Sequence, residues 1–131
     1  MARIETSLNH APNFYVTEHF MYSDFICPCC DTLKHVPAFY RHVPLLEQMW
    51  EIFGFPIVVT SGYRCKRHNA DVGGAPRSWH LLFATDIKPE EEYSDKLSEI
   101  RDVAEDLFSG IGIYETHIHL DLRPERLVWR G

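Results

Sequence analysis

Apolar residues fall into two rhythms along this chain. Between about Pro37 or Ala38 and Phe53, Val43, Leu46, Trp50 and Phe53 recur at helical spacing, and Gly54 follows as a stop. That pattern predicts a helix with one face in a core. "PIVVT" (56–60) is short, apolar and β-branched, and reads as a buried strand. "SGYR" (61–64) reads as a turn, "KRHNADV" as a short helix and "GGAP" (73–76) as a loop. "FATDIK" predicts a second strand. In "EEYSDKLSEIRDVAEDLF", Leu97, Ile100, Val103, Ala104, Leu107 and Phe108 form one face of a long amphipathic helix. Acids crowd its start, where the helix dipole favours them. "GIGIY", "THIHLDL" and "RLVW" close the chain as turn and strands. The first 36 residues lack either rhythm. Pro12, Pro28 and a cysteine cluster interrupt them, and Ser23 and Asp24 are candidates to cap a brief helical turn. Strands alternating with helices, without a nucleotide-binding fingerprint, predict a small α+β domain.

The 131 residues suit one domain over 1–131, with an irregular cysteine-containing segment at about 1–36. Apolar residues make up 45% and charged residues 24%, ordinary for a globular chain. The net charge of −6, with no dense Lys/Arg stripe, argues against nucleic acid as the main partner. No apolar run approaches the roughly 20 residues of a membrane span. The start, "MARIETSLNHAPNFYVTEHF", lacks the basic end and apolar core of a secretory signal, so cytoplasmic synthesis is expected. A monomer is expected.

The cysteines are Cys27, Cys29, Cys30 and Cys65. Without a secretory signal, a disulfide framework loses weight. Cys27-x-x-Cys30 and Cys65-x-x-His68 together have the spacing of a four-ligand structural zinc site, in which Cys29 is not needed. Reduced, partly buried thiols are the competing reading. A thioredoxin-like redox motif is a poor match, because Cys27-x-x-Cys30 does not lead from a strand into a helix.

Two stretches carry chemistry. In "YETHIHLDL" (114–122), strand alternation puts His117, His119 and Asp121 on one face and Ile118, Leu120 and Leu122 on the other. A solvated face is the plain reading; a metal or acid–base site is the sharper one. In "SWHLLFATDI", His80 and Asp86 flank an apolar run. Extended, their separation would be about 20 Å. Two ligands of one zinc each lie about 2 Å from it. The chain between them must turn, without glycine or proline. His80, Asp86 and His119 would then supply two nitrogens and one oxygen, leaving a fourth position for water.

In order, "SGYRCKRHNADVGGAPRSWH", "ATDI", "GIGIY" and "HLDLR" resemble the zinc D-Ala-D-Ala carboxypeptidase-like peptidoglycan peptidases, which share a fold with the hedgehog signalling domain. With "TEHFMYSDFICPCC", the resemblance covers roughly residues 17 to 129. It implies a small antiparallel sheet flanked by helices. It also implies Zn2+ held by His80, Asp86 and His119, Arg64 binding and polarising the substrate, and Ser78 in contact with it. His117 would steady a developing oxyanion or move a proton.

Two departures stand out. His80 and Asp86 are one residue closer than in the family pattern S-x-H-x-x-G-x-A-x-D, as if its glycine were deleted. A bulge or tightened turn around Leu82 and Phe83 is expected to compensate. A glycine inserted after Leu82 should then leave zinc affinity unchanged or raise it. Second, Thr116 stands where many relatives carry a carboxylate general base. Asp121 is the first substitute and Glu115 the second, although Asp121 also suits a carboxylate that orients a histidine.

The implied activity is hydrolysis of peptide bonds in the stem peptides or crosslinks of bacterial peptidoglycan, as a D,D-carboxypeptidase or endopeptidase. Without a signal, this suits a phage-type lysis enzyme released by a separate system. The competing reading is a non-catalytic relative acting as a binding or structural module, which the missing glycine and Thr116 favour.

Overall fold

In the computed structural model, which describes residues 13–34 and 36–131, the first apolar period folds as helix α1 (Pro37–Phe53). Proline at its first position costs no hydrogen bond. Gly54 ends it at φ 71°, where its N–H reaches the Trp50 carbonyl; only glycine adopts this left-handed cap cheaply. Val43, Leu46 and Met49 are wholly buried, and Trp50 and Phe53 pack at the core margin. His42 is also buried on this helix, bonded through Nε2 to Thr85 Oγ1 at 2.8 Å. Burial pushes its pKa down to about 3, so its ring is neutral.

Five strands follow: β1 (Ile57–Ser61), β2 (Thr85–Pro89), β3 (Gly110–Ile113), β4 (Ile118–Asp121) and β5 (Leu127–Arg130). Their order is β1-β2-β4-β3-β5. The α+β architecture is the one expected. The sheet is mixed, because the chain reverses after β4 and β5 lies beyond β3, parallel to it. The other three pairings are antiparallel. In the β2–β4 pair, Thr85 faces Leu120 and Ile87 faces Ile118, all four buried. Period-two alternation sends the intervening pair, Asp86 and His119, to the other face.

Helix α2 (Lys66–Asp71) follows β1, and a 3-10 turn (Trp79–Leu81) precedes β2. The long amphipathic stretch divides into a 3-10 segment (Glu91–Lys96), itself broken by non-helical Tyr93, and helix α3 (Leu97–Leu107). Ile100, Ala104 and Phe108 are buried as the pattern requires, while Leu97, Val103 and Leu107 pack at the edge. The described part of the N-terminal segment forms a 3-10 turn (Tyr22–Asp24), where the Asp24 carboxylate accepts the Met21 N–H at 2.7 Å. The expectations over residues 1–12 lie outside the described residues. Phe20 and Phe25 join Phe39 and Phe83 in the core. The Tyr63 N–H donates to the Phe25 carbonyl at 2.9 Å, drawing the two backbones together at Gly62. A Cβ on Gly62 would stand 2.6 Å from that carbonyl oxygen, so only glycine fits. Among the described residues, no helix is long and apolar enough to cross a membrane.

Candidate metal centre

The 3-10 turn positions His80. Ser78 Oγ accepts the His80 N–H at 3.1 Å, and the His80 carbonyl accepts the Arg64 N–H at 2.8 Å. The ring donates from Nδ1 to the Gly62 carbonyl at 2.7 Å, which leaves Nε2 to face Asp86. Nε2 lies 3.1 Å from Asp86 Oδ1, and His119 Nδ1 lies 3.3 Å from that same oxygen. On its far side, His119 Nε2 donates to Asp121 Oδ2 at 2.7 Å. Each imidazole is thus held through one nitrogen and turns the other toward Asp86. One ligand atom from each of His80, Asp86 and His119 falls within 4.8 Å of the others. This donor set fits a divalent metal with a position left open.

The shortened spacing does deliver Asp86. The chain turns through the 3-10 segment and a sharp bend at Leu82 (φ −102°, ψ −81°), without entering the left-handed region. The tightened turn is where it was expected. The register shift that accompanies it lies on β1, between Val59 and Ser61, opposite Asp86.

Burial alone would raise the Asp86 carboxyl, but hydrogen bonds from His119 and His80 outweigh it and hold the group below the usual carboxylate range. Asp121 follows the same logic, with Arg123 and His119 overcoming burial. Burial pulls His119 down, yet its bonds to Asp121 and Asp86 prevail and raise it. Both carboxylates are thus held ionised.

Asp121 is wholly buried. Arg123 donates from Nε to Oδ1 at 2.8 Å and from Nη2 to Oδ2 at 2.6 Å, and the Arg123 N–H adds a third bond at 3.1 Å. The guanidinium lies 5.3 Å from the Trp79 ring centre and 4.8 Å from that of Trp129. Asp121 therefore backs His119 and does not face the cleft. Sequence reasoning missed Arg123 and both tryptophans; the one available signal is the i, i+2 spacing of Asp121 and Arg123.

Arg64 donates to Ser61 Oγ at 3.1 Å, to Asn69 Oδ1 at 3.2 Å and to Asp86 Oδ2 at 3.4 Å. Asn69 is buried and itself donates to the Ala75 carbonyl at 2.8 Å, so the guanidinium is clamped beside the triad. The β3–β4 loop brings Glu115, Thr116 and His117 to the cleft. His117 stands just before β4, which begins at Ile118, and lines the same cleft as His119. Its ring stacks on Tyr114 with centres 4.6 Å apart. One cleft of about 590 Å³ is lined by Ser61, Arg64, Asp86, Lys88, Glu115 and His117. A second, of about 560 Å³, includes Arg77, Ser78, His80, His119 and Arg123. Arg64, Asp86 and His117 line both.

The four cysteines gather separately. His68 is not among them: it lines the cleft, and only its N–H touches the Cys65 sulfur.

Two histidines, one carboxylate and a clamped arginine in an open cleft define the class of site found in metal-dependent hydrolases. The chain belongs to the Peptidase M15 family, zinc D-Ala-D-Ala carboxypeptidase-like enzymes, whose family model matches residues 18–121. Peptidases of this family are metal-dependent. No curated protein matches the chain.

Proposed function

We propose that this protein is a zinc metallopeptidase that hydrolyses peptide bonds of bacterial peptidoglycan. The observation that carries the reading is the convergence of His80 Nε2, His119 Nδ1 and Asp86 Oδ1 beside the clamped Arg64. Two imidazoles and one carboxylate suit zinc, which when bound would polarise the scissile carbonyl and lower the pKa of water.

The chain's own groups take the remaining roles. Arg64, already oriented by Ser61 and Asn69, stabilises negative charge developing on the carbonyl oxygen. His117 donates a second hydrogen bond there or moves a proton. Glu115, an exposed carboxylate of the cleft on the loop that carries His117, takes the acid–base role. Asp121, with both oxygens occupied, holds the His119 tautomer instead. Ser78 keeps its hydroxyl proton available to substrate while its oxygen caps the turn. Because the two clefts share Arg64, Asp86 and His117, a peptide running from one into the other would pass the triad, which favours endopeptidase over carboxypeptidase action.

The test pairs metal analysis with an assay for new amino groups released from purified peptidoglycan. His80→Ala should lose both bound zinc and release. Zinc-replete protein that releases nothing would leave the non-catalytic module as the better reading.

A further inference from the structure

The four cysteines take no part in the proposed hydrolysis, and their arrangement calls for a separate account. Cys27 is buried, Cys65 half-buried, and Cys29 and Cys30 exposed. The sulfurs of Cys29 and Cys65 are 3.2 Å apart, those of Cys27 and Cys65 3.6 Å, and those of Cys27 and Cys29 3.7 Å. All four sulfurs lie within 4.8 Å of one another. A disulfide would bring one pair to about 2.05 Å. Tetrahedral zinc, with Zn–S near 2.3 Å, sets sulfurs about 3.8 Å apart.

The backbone is built for this convergence. Cys27 donates its N–H to the Thr32 carbonyl at 2.7 Å, and its own carbonyl accepts from Asp31 at 2.8 Å. Asp31 closes the loop at φ 54°, a conformation that aspartate tolerates better than most residues. This tight loop turns Cys27, Cys29 and Cys30 toward one point. Cys65 arrives from the other side, at the N-cap of α2. Two backbone N–H groups already point at sulfur: Cys65 to Cys27 Sγ at 3.5 Å and His68 to Cys65 Sγ at 3.4 Å.

We propose that Cys27, Cys29, Cys30 and Cys65 bind a second zinc ion as a structural tetrathiolate site. Cys29 takes the place that spacing alone assigns to His68. The ion ties the N-terminal segment to the loop carrying Arg64, the residue next to Cys65, and so braces the substrate-binding arginine from behind.

The test uses the full chain carrying His80→Ala and His119→Ala, which removes two donors of the other centre. Reduced protein should retain about one zinc per chain, and cobalt(II) in its place should show sulfur-to-metal charge-transfer absorption. Adding Cys29→Ser should weaken zinc binding at least about tenfold and diminish that absorption, a loss on the scale of disturbed metal sites. Adding His68→Ala should change neither. A folded, reduced double variant that binds no zinc overturns the proposal. So does His68→Ala matching Cys29→Ser, or a disulfide found by mass in protein purified without reductant. Should the double variant fail to fold, cobalt titration of the unaltered chain decides: a thiolate band supports the site, and its absence at saturation sinks it. Loss of peptidoglycan hydrolysis alone would bear on the triad and not on the cysteines.

Discussion

The histidine–aspartate triad and the cysteine cluster are two gatherings of metal-binding side chains built in opposite ways. Two of the triad's ligands lie opposite each other on paired strands, and the third sits in a turn capped by Ser78. Each is held by a partner that owes nothing to an ion: Gly62 for His80, Arg64 for Asp86, Asp121 for His119. The cysteines sit on a loop and a helix cap, outside the sheet, and two of the four are exposed. At the triad the fold arranges the ligands; at the cysteines, on the structural-zinc proposal, an ion arranges the fold. Disturbing the first should therefore cost activity before stability, and disturbing the second should cost stability first.

The largest expected effect comes from Asp86→Ala. It should lower kcat/KM on peptidoglycan by roughly 10³-fold, or about 4 kcal/mol of transition-state stabilisation, with the circular dichroism spectrum unchanged. Near-normal turnover in that variant would remove Asp86 from the site. Asp121→Asn comes next, and it blurs the contrast instructively. It should reduce activity about 10–100-fold by loosening His119. It should also destabilise the chain by about 3 kcal/mol in chemical denaturation, because the Arg123 guanidinium loses its countercharge. An activity loss without a stability loss would show that Arg123 finds another acceptor.

The alternation of Ile118 and Leu120 with His119 and Asp121 was legible in the sequence, because period two follows from strand geometry alone. So were α1 and the apolar face of α3. The pairing of Asp86 with His119 was not, since cross-strand register between distant segments is a tertiary fact. Resemblance supplied it. Arg123 between Trp79 and Trp129 joins three separate segments and leaves no periodic trace. The break at Tyr93 was hidden because 3-10 and α turns share similar apolar spacing. For the cysteines, C-x-x-H spacing pointed to His68. The structure instead turns that ring to the cleft and loops Cys29 back through Asp31.

A glycine inserted after Leu82 probes how tightly the triad is pre-arranged. Sequence alone suggested that such an insertion would be harmless or helpful. Packing reverses that expectation. Phe83 is 1% exposed and contacts the rings of Phe25, Phe39 and His42, while His80 is tied to Gly62 and Arg64. An extra residue must be absorbed between two fixed points. Metal affinity at the triad, measured by competition with a chelator, should fall about tenfold. Unchanged affinity would mean that the bend at Leu82 has slack.

The smallest effect concerns what else holds the cysteine-bearing segment. His19 bonds Glu47 of α1 through both its ring (2.5 Å) and its backbone N–H (2.8 Å), and it stacks on Trp50. The hydrogen bond to Glu47 raises His19 above its ordinary 6.5, against a smaller lowering by burial. Burial would raise Glu47, but its bonds from His19 win and lower it below 4.5. The raised histidine stabilises fully below pH 6.5, and its contribution is lost as pH rises through its folded pKa. The lowered carboxylate stabilises above pH 4.5, and its contribution is lost as pH falls through its folded pKa. The pair thus acts fully only between those values. Glu47→Gln keeps an acceptor for the backbone N–H and removes the charge. Its melting temperature should fall below that of the unaltered chain by about 2–3 °C within that window, and the difference should shrink on either side. A pH-independent difference would assign the clip to packing on Trp50, and would leave the proposed zinc as the stronger tie between the N-terminal segment and the rest of the molecule.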